Sequence, residues 1–157
     1  MLGIFTGPLF FFVGVGILYI LVPKKGISRF WGMGLVGGLG LALVLTYLMH
    51  NVFGYWSFFG GDIALAGMPL FLSAAWIPLV ILYCYWTSQS NEFYQIALAI
   101  GVFAFFAAVV HWYYLRQGML VYVGWNVLYT FTLSLIIHAA LYYYLYVTKR
   151  LGEFQQS

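Results

Sequence analysis

Of the 157 residues, 65% are hydrophobic, 22% are aromatic and only 6% are charged. A water-soluble domain carries about 25% charged residues, so the composition excludes an ordinary soluble body and points to lipid as the solvent. The net charge of +3 comes from a few scattered Lys and Arg residues, which leaves no basic patch for a nucleic acid. The single cysteine, Cys84, excludes an internal disulfide and reads as a small packing residue in an apolar run.

The first apolar run covers 2–22 and ends at Pro23, Lys24, Lys25 and Gly26. At 1.5 Å per residue it can cross a hydrocarbon core of about 30 Å. Its positive charges follow the run rather than precede it, the order of a retained span rather than a cleaved signal. The second run, 30–49, follows Arg29 and ends at His50 and Asn51. A stretch rich in Gly and aromatics, 52–67, contains Asp62. The third run, 68–86, places Pro69 in a first helical turn, where its missing N–H is harmless, and Pro78 where it predicts a kink.

Polar residues 87–92 form a turn in which Ser90 or Asn91 caps the fourth helix and Glu92 favours its positive end. The fourth run is 93–115, followed by a tight return at Arg116, Gln117 and Gly118. The fifth run, 120–147, exceeds the thickness of the core, which predicts a tilted helix or a protruding end. A short polar tail follows from Thr148. The expected fold is all-α: one integral membrane bundle, 1–157, of about five transmembrane helices.

Lys24, Lys25, Arg29, Lys149 and Arg150 fall on one side of a five-span bundle and Arg116 on the other. The positive-inside rule then puts the N-terminus outside and the C-terminus in the cytoplasm. Tyr55, Trp56, Tyr83, Tyr85, Trp86, Trp112, Tyr113, Tyr114, Tyr142, Tyr143, Tyr144 and Tyr146 gather near run ends and read as interfacial anchors.

Gly32 to Gly37 matches the dinucleotide spacing G-x-G-x-x-G, but that motif needs a preceding strand and a solvated helix start. Inside an apolar span, Gly34 and Gly38, with Gly40 nearby, read instead as a close-packing face, within the chain or against a partner. Gly3 and Gly7 repeat the spacing.

Asn126, Thr130, Ser134 and His138 recur every four residues, with Tyr122 and Tyr142 extending the row. Polar groups facing lipid are costly, so the row faces protein or a cavity, as interhelical hydrogen bonds or as the lining for the polar part of a ligand or a proton path. The topology also brings His50, Asn51, Asp62, His111 and Arg116 to the outer ends of spans. There they are either solvated loop ends or an acid–base patch in which Asp62 donates a proton. Two histidines and one carboxylate without cysteine give no zinc signature. Haem or chlorophyll ligation by a membrane His is chemically open, but nothing in the spacing singles it out. No P-loop, zincin or Ser-His-Asp arrangement is present, and with only His138 well inside a span an ion-coupled pump is disfavoured.

The stretch Phe53, Gly54, Tyr55, Trp56, followed by Gly67 to Leu70 and by Ala75 and Trp76, resembles a run in the membrane-bound carotenoid hydratase family, over about 35 residues. That resemblance implies water addition to a terminal isoprenoid double bond. Gly118 to Tyr129, with Tyr122, Trp125, Asn126, Leu128 and Tyr129, resembles the last span of an uncharacterised family of small bacterial polytopic membrane proteins and implies no activity. The motifs of the tryptophan-rich translocator family are not evident.

The leading expectation is a small polytopic protein of a prokaryotic plasma membrane. It acts as a subunit of a membrane assembly or a homo-oligomer, or as a binder of an apolar ligand such as a lipid, quinone or carotenoid. Ligand contacts fall to Trp56, Trp76, Arg116, Trp125, Asn126, Thr130, Ser134 and His138. The alternative is an isoprenoid-modifying enzyme with Asp62 as acid, His50 or His111 as base or water-positioning group, and Trp56 and Trp76 facing a cationic intermediate. No cofactor, metal or ligand identity follows from the sequence.

Overall fold

A computed structural model describes residues 5–59, 64–65, 68–90 and 92–148 of the chain. It is mostly helical: α1 is Thr6–Leu21, α2 Lys24–Val52, α3 Leu70–Gln89, α4 Phe93–Arg116 and α5 Val127–Val147. The last four are long and apolar enough to cross a membrane, so the chain is a membrane protein. α1 is apolar but has only 16 residues, or about 24 Å at the helical rise, against a core of about 30 Å. Gly3 lies outside the described residues.

The structure is not purely helical. Short strands β1 (Trp56–Phe58), β2 (Ala64–Leu65), β3 (Met68–Pro69) and β4 (Leu120–Tyr122) make two antiparallel pairs. β1 pairs with β4 in the register Trp56 to Tyr122 and Phe58 to Leu120. The ladder continues through Val123 N–H to the Tyr55 carbonyl (3.0 Å) and Phe59 N–H to the Met119 carbonyl (2.9 Å). Backbone at the end of a membrane bundle must satisfy its own polar groups, and this ladder does so where the helices stop.

Five boundaries differ from expectation. α3 runs on to Gln89, so Thr87 and Ser88, expected in a turn, are buried helix residues whose hydroxyls bond carbonyls of the preceding turn. α2 begins at Lys24, not Phe30, because extended Pro23 (φ −64°, ψ 153°) starts a helix directly. Lys24, Lys25 and Arg29 thus belong to the helix rather than to a loop. The fifth run does not continue as a long tilted helix. Its first residues are β4 and a loop, and the helix starts only after Asn126, whose side chain accepts the Tyr129 N–H at 2.9 Å. The N-cap of α4 is Glu92, without a side-chain hydrogen bond, while the Ser90 hydroxyl donates to the Trp86 carbonyl; Asn91 lies outside the described residues. Pro69 sits in β3 and is the N-cap of α3, just before the first turn.

Pro78 has the effect expected of it. It cannot bond the Ala74 carbonyl one turn back, and α3 breaks at Ala75. Its ring packs on α1, where a Cβ on Gly14 would lie 3.0 Å from the Pro78 Cγ. α2 departs from α-helical geometry over Gly34–Gly40 and Leu48–Val52, both π-helical. Such wide turns are uncommon and often sit beside functional cavities.

The packing face Gly34 and Gly38 meets α3 of the same chain. A Cβ on Gly34 would approach the Ile81 side chain to 2.7 Å, and one on Gly38 the Trp76 carbonyl to 2.7 Å. The return after Arg116 is a Schellman motif: Gly118 takes φ +68°, its N–H bonds the Leu115 carbonyl, and Met119 N–H bonds the Tyr114 carbonyl. One core cluster is built on Phe30, Ile81, Tyr83, Cys84 and Leu145, the other on Met49, Trp56, Leu72, Tyr114 and Leu120. Trp56, Tyr83 and Tyr114 are therefore core residues, not interfacial anchors, whereas Trp112, Tyr143, Tyr144 and Tyr146 are exposed.

Candidate functional site

Where α2, α3, α4 and α5 meet, they leave a cavity of about 760 Å³, its mouth included. Each helix supplies a wall for a local reason. α2 contributes Gly37 and Gly38 from its π-helical stretch, where missing side chains leave room. α3 contributes Leu72, Ser73 and Trp76 around its break. α4 contributes Ala107, Val110 and His111, and α5 contributes Thr130, Ser134 and His138. Trp56 and Phe58 of β1 reach in at the strand end. From Thr130 to Leu141 the lining extends about 16 Å along α5.

The strand end holds a connected polar network. His111 Nδ1 lies 2.6 Å from the Tyr122 hydroxyl, which lies 2.7 Å from Thr130 Oγ1. The Trp125 indole N–H donates to the same Thr130 oxygen at 2.9 Å. Either hydroxyl can donate across the Tyr122–Thr130 bond, and the His111 tautomer sets the direction of its own. Two helices and a strand are tied together by side chains that would otherwise be costly in lipid. Burial pushes the Tyr122 phenol up to about 12, against the opposing pull of its bond with Thr130.

Trp56 is 3% exposed, and among the described residues its Nε1–H has no hydrogen-bond partner. A buried donor without a partner costs about 1–3 kcal/mol. Its ring stands edge-on to His111 at 4.8 Å and to Trp125 at 6.1 Å. Its carbonyl accepts from His50 Nδ1 at 2.7 Å. His50 therefore positions β1 and is not among the residues lining the cavity. His50 and His111 come together only through Trp56.

Deeper in the bundle, His138 is buried, with Nδ1 2.8 Å from the Ser134 carbonyl and 3.2 Å from the Ser134 hydroxyl. Tyr83 donates to the His138 carbonyl at 2.7 Å. A carbonyl only accepts, so Nδ1 carries the proton and Nε2 presents its lone pair.

The sequence row thus divides. Thr130, Ser134 and His138 line the cavity, and so do Trp56, Trp76 and His111. Asn126 is an exposed helix cap, and Tyr122 joins the row from a strand rather than from the helix. Trp125 supports the lining through Thr130, and its ring stacks on Tyr55 at 5.3 Å. Arg116 is exposed, its guanidinium 5.5 Å over the Trp112 ring, away from the lining. Asn51 is exposed as well. Asp62 lies outside the described residues. Thr46 and Ser73 also line the cavity and were not singled out from the sequence. Their only signal was a lone hydroxyl in an apolar run. Among the described residues no group of three or more His, Cys, Asp or Glu is placed to hold a metal ion. Comparison of the chain with protein-family models, with curated proteins and with solved structures finds no match.

Proposed function

We propose that this chain is a binding protein of a prokaryotic plasma membrane that holds an apolar ligand with a hydrogen-bonding head. The observation that carries the reading is Trp56 in the wall of a largely apolar cavity, its N–H without a partner among the described residues. A ligand oxygen placed there would accept that N–H and remove its desolvation cost. The aliphatic walls would take the remainder of the molecule. Lys24, Lys25 and Arg29 at the end of the bundle opposite β1 and β4 support an orientation with the strand end outside. That orientation has α1 as a fifth crossing. For the hydratase-type alternative the proton donor would be Asp62. Asp62 lies outside the described residues, and the preferred reading is binding, carried by the cavity and the Trp56 N–H.

The test is extraction. The protein is purified in mild detergent from its native membranes, and its bound small molecules are compared with bulk lipid by mass spectrometry. The expected result is one apolar species with an oxygen-bearing head, enriched well above its share of bulk lipid. Trp56→Phe keeps an aromatic ring, though a smaller one, and removes the N–H; it should weaken retention about tenfold or more, the worth of one buried hydrogen bond being about tenfold. A parent protein carrying nothing beyond bulk lipid would sink the proposal.

A further inference from the structure

The cavity has polar groups at two depths. At the strand end, Trp56 and His111 are side by side, their rings 4.8 Å apart. The second station is His138, whose ring lies 5.9 Å from that of Phe103. Phe103 and His111 share α4, and their eight-residue separation sets the two stations about 12 Å apart along the bundle. The wall between them is mostly aliphatic, with Ala107, Val110, Leu133 and Ile137; its Ser134 hydroxyl is engaged with His138 Nδ1.

The stations differ in chemical sense. The Trp56 indole offers only a donor, and that donor has no partner among the described residues. His138 has committed its Nδ1–H to the Ser134 carbonyl. What it offers the cavity is the Nε2 lone pair, which makes no hydrogen bond among the described residues. Donor, aliphatic wall, acceptor is a directional pattern. It matches a molecule with an acceptor at one end and a donor at the other.

Resting on the binding reading above, we infer that the ligand is a two-ended apolar molecule. A carbonyl or ester oxygen takes the Trp56 N–H, and a hydroxyl about 12 Å away donates to His138 Nε2. A one-headed lipid would satisfy Trp56 and leave His138 facing hydrocarbon.

Three probes separate the cases: methyl ω-hydroxydecanoate, methyl decanoate and decanol. Their binding to the delipidated full chain in detergent is measured by native mass spectrometry. The hydroxy ester should bind about tenfold more tightly than either one-headed probe, one buried hydrogen bond being the difference. His138→Phe should abolish the preference for the hydroxy ester over methyl decanoate. Trp56→Phe should reduce it to the affinity of decanol. If His138→Phe does not fold, the three probes on the parent chain decide alone. Equal binding of the hydroxy ester and methyl decanoate overturns the two-ended ligand and leaves the binding reading standing. Binding of none of the three, with no species retained from native membranes, overturns both.

Discussion

The α2–α3 contact and the α4–α5 contact hold the same bundle together by opposite means. Between α2 and α3 the approach is steric. Gly34 and Gly38 let the backbones close until any side chain would collide with Ile81 or with the Trp76 carbonyl. Between α4 and α5, under the β1–β4 pair, the join is polar and runs through His111, Tyr122, Thr130 and Trp125. Lipid tails are as apolar as leucine, so burial of apolar surface drives neither contact. Close van der Waals packing serves one and hydrogen bonding the other. The cavity lies where they meet, with Gly37 and Gly38 on one wall and His111 and Thr130 on the other.

The comparison breaks most visibly at Gly38. Gly38→Ala would put a Cβ 2.7 Å from a backbone oxygen that cannot swing aside. Overpacking of this kind costs about 1–3 kcal/mol, and thermal unfolding in detergent should show a loss in that range. Gly34→Ala should cost a similar amount, because its Cβ would meet buried Ile81 at 2.7 Å and the Ile77 carbonyl at 3.0 Å. Gly101→Ala is the control: nothing lies within 4 Å of its Cβ, so the gain in helix propensity should leave the chain equally or more stable. A Gly38→Ala protein as stable as its parent would remove the steric half of the comparison.

On the polar side the expected losses are smaller. Tyr122→Phe removes the link between His111 and Thr130, and should cost about 1–2 kcal/mol at about 1 kcal/mol per bond. Asn126→Ala removes the cap of α5, worth about 1 kcal/mol. The two should differ in what else they change. Tyr122→Phe frees a histidine in the cavity wall and should alter ligand retention. Asn126→Ala should leave it unchanged, which mass spectrometry of the extracted ligand checks.

These residues also mark how far the sequence was legible. The apolar runs disclosed the helices of the bundle, because a span needs an unbroken stretch of lipid-compatible side chains. The four-residue row on α5 disclosed one cavity wall, because intramembrane hydroxyls and imidazoles must face inward. Leu120 to Tyr122 was opaque: a short apolar strand and the first turn of an apolar helix have the same composition. Only Gly118, Gly124 and Asn126 marked the interruption. Trp56 was misread as an interfacial anchor because an indole at a span end fits either setting. What buries it is its pairing with Tyr122, 66 residues away in the chain, and no local pattern records such a contact.

The smallest effect is also the most specific to the polar network. Burial raises the Tyr122 phenol from 10.0 to about 12 in the folded chain. The folded state thus holds this proton more tightly than the unfolded state. The resulting stability is complete below pH 10 and is lost as pH rises towards 12. Tyr122 is half-buried, so solvent screening makes the change modest. Subtraction isolates it from the other tyrosines: between pH 10 and 12 the parent should lose more stability than Tyr122→Phe, and the two should run parallel below pH 9. Parallel curves throughout would mean that the phenol is as well solvated as in the unfolded chain. Water would then compete with His111 and Thr130 for the Tyr122 hydroxyl, and the dry polar join that contrasts with the glycine-packed side would be gone.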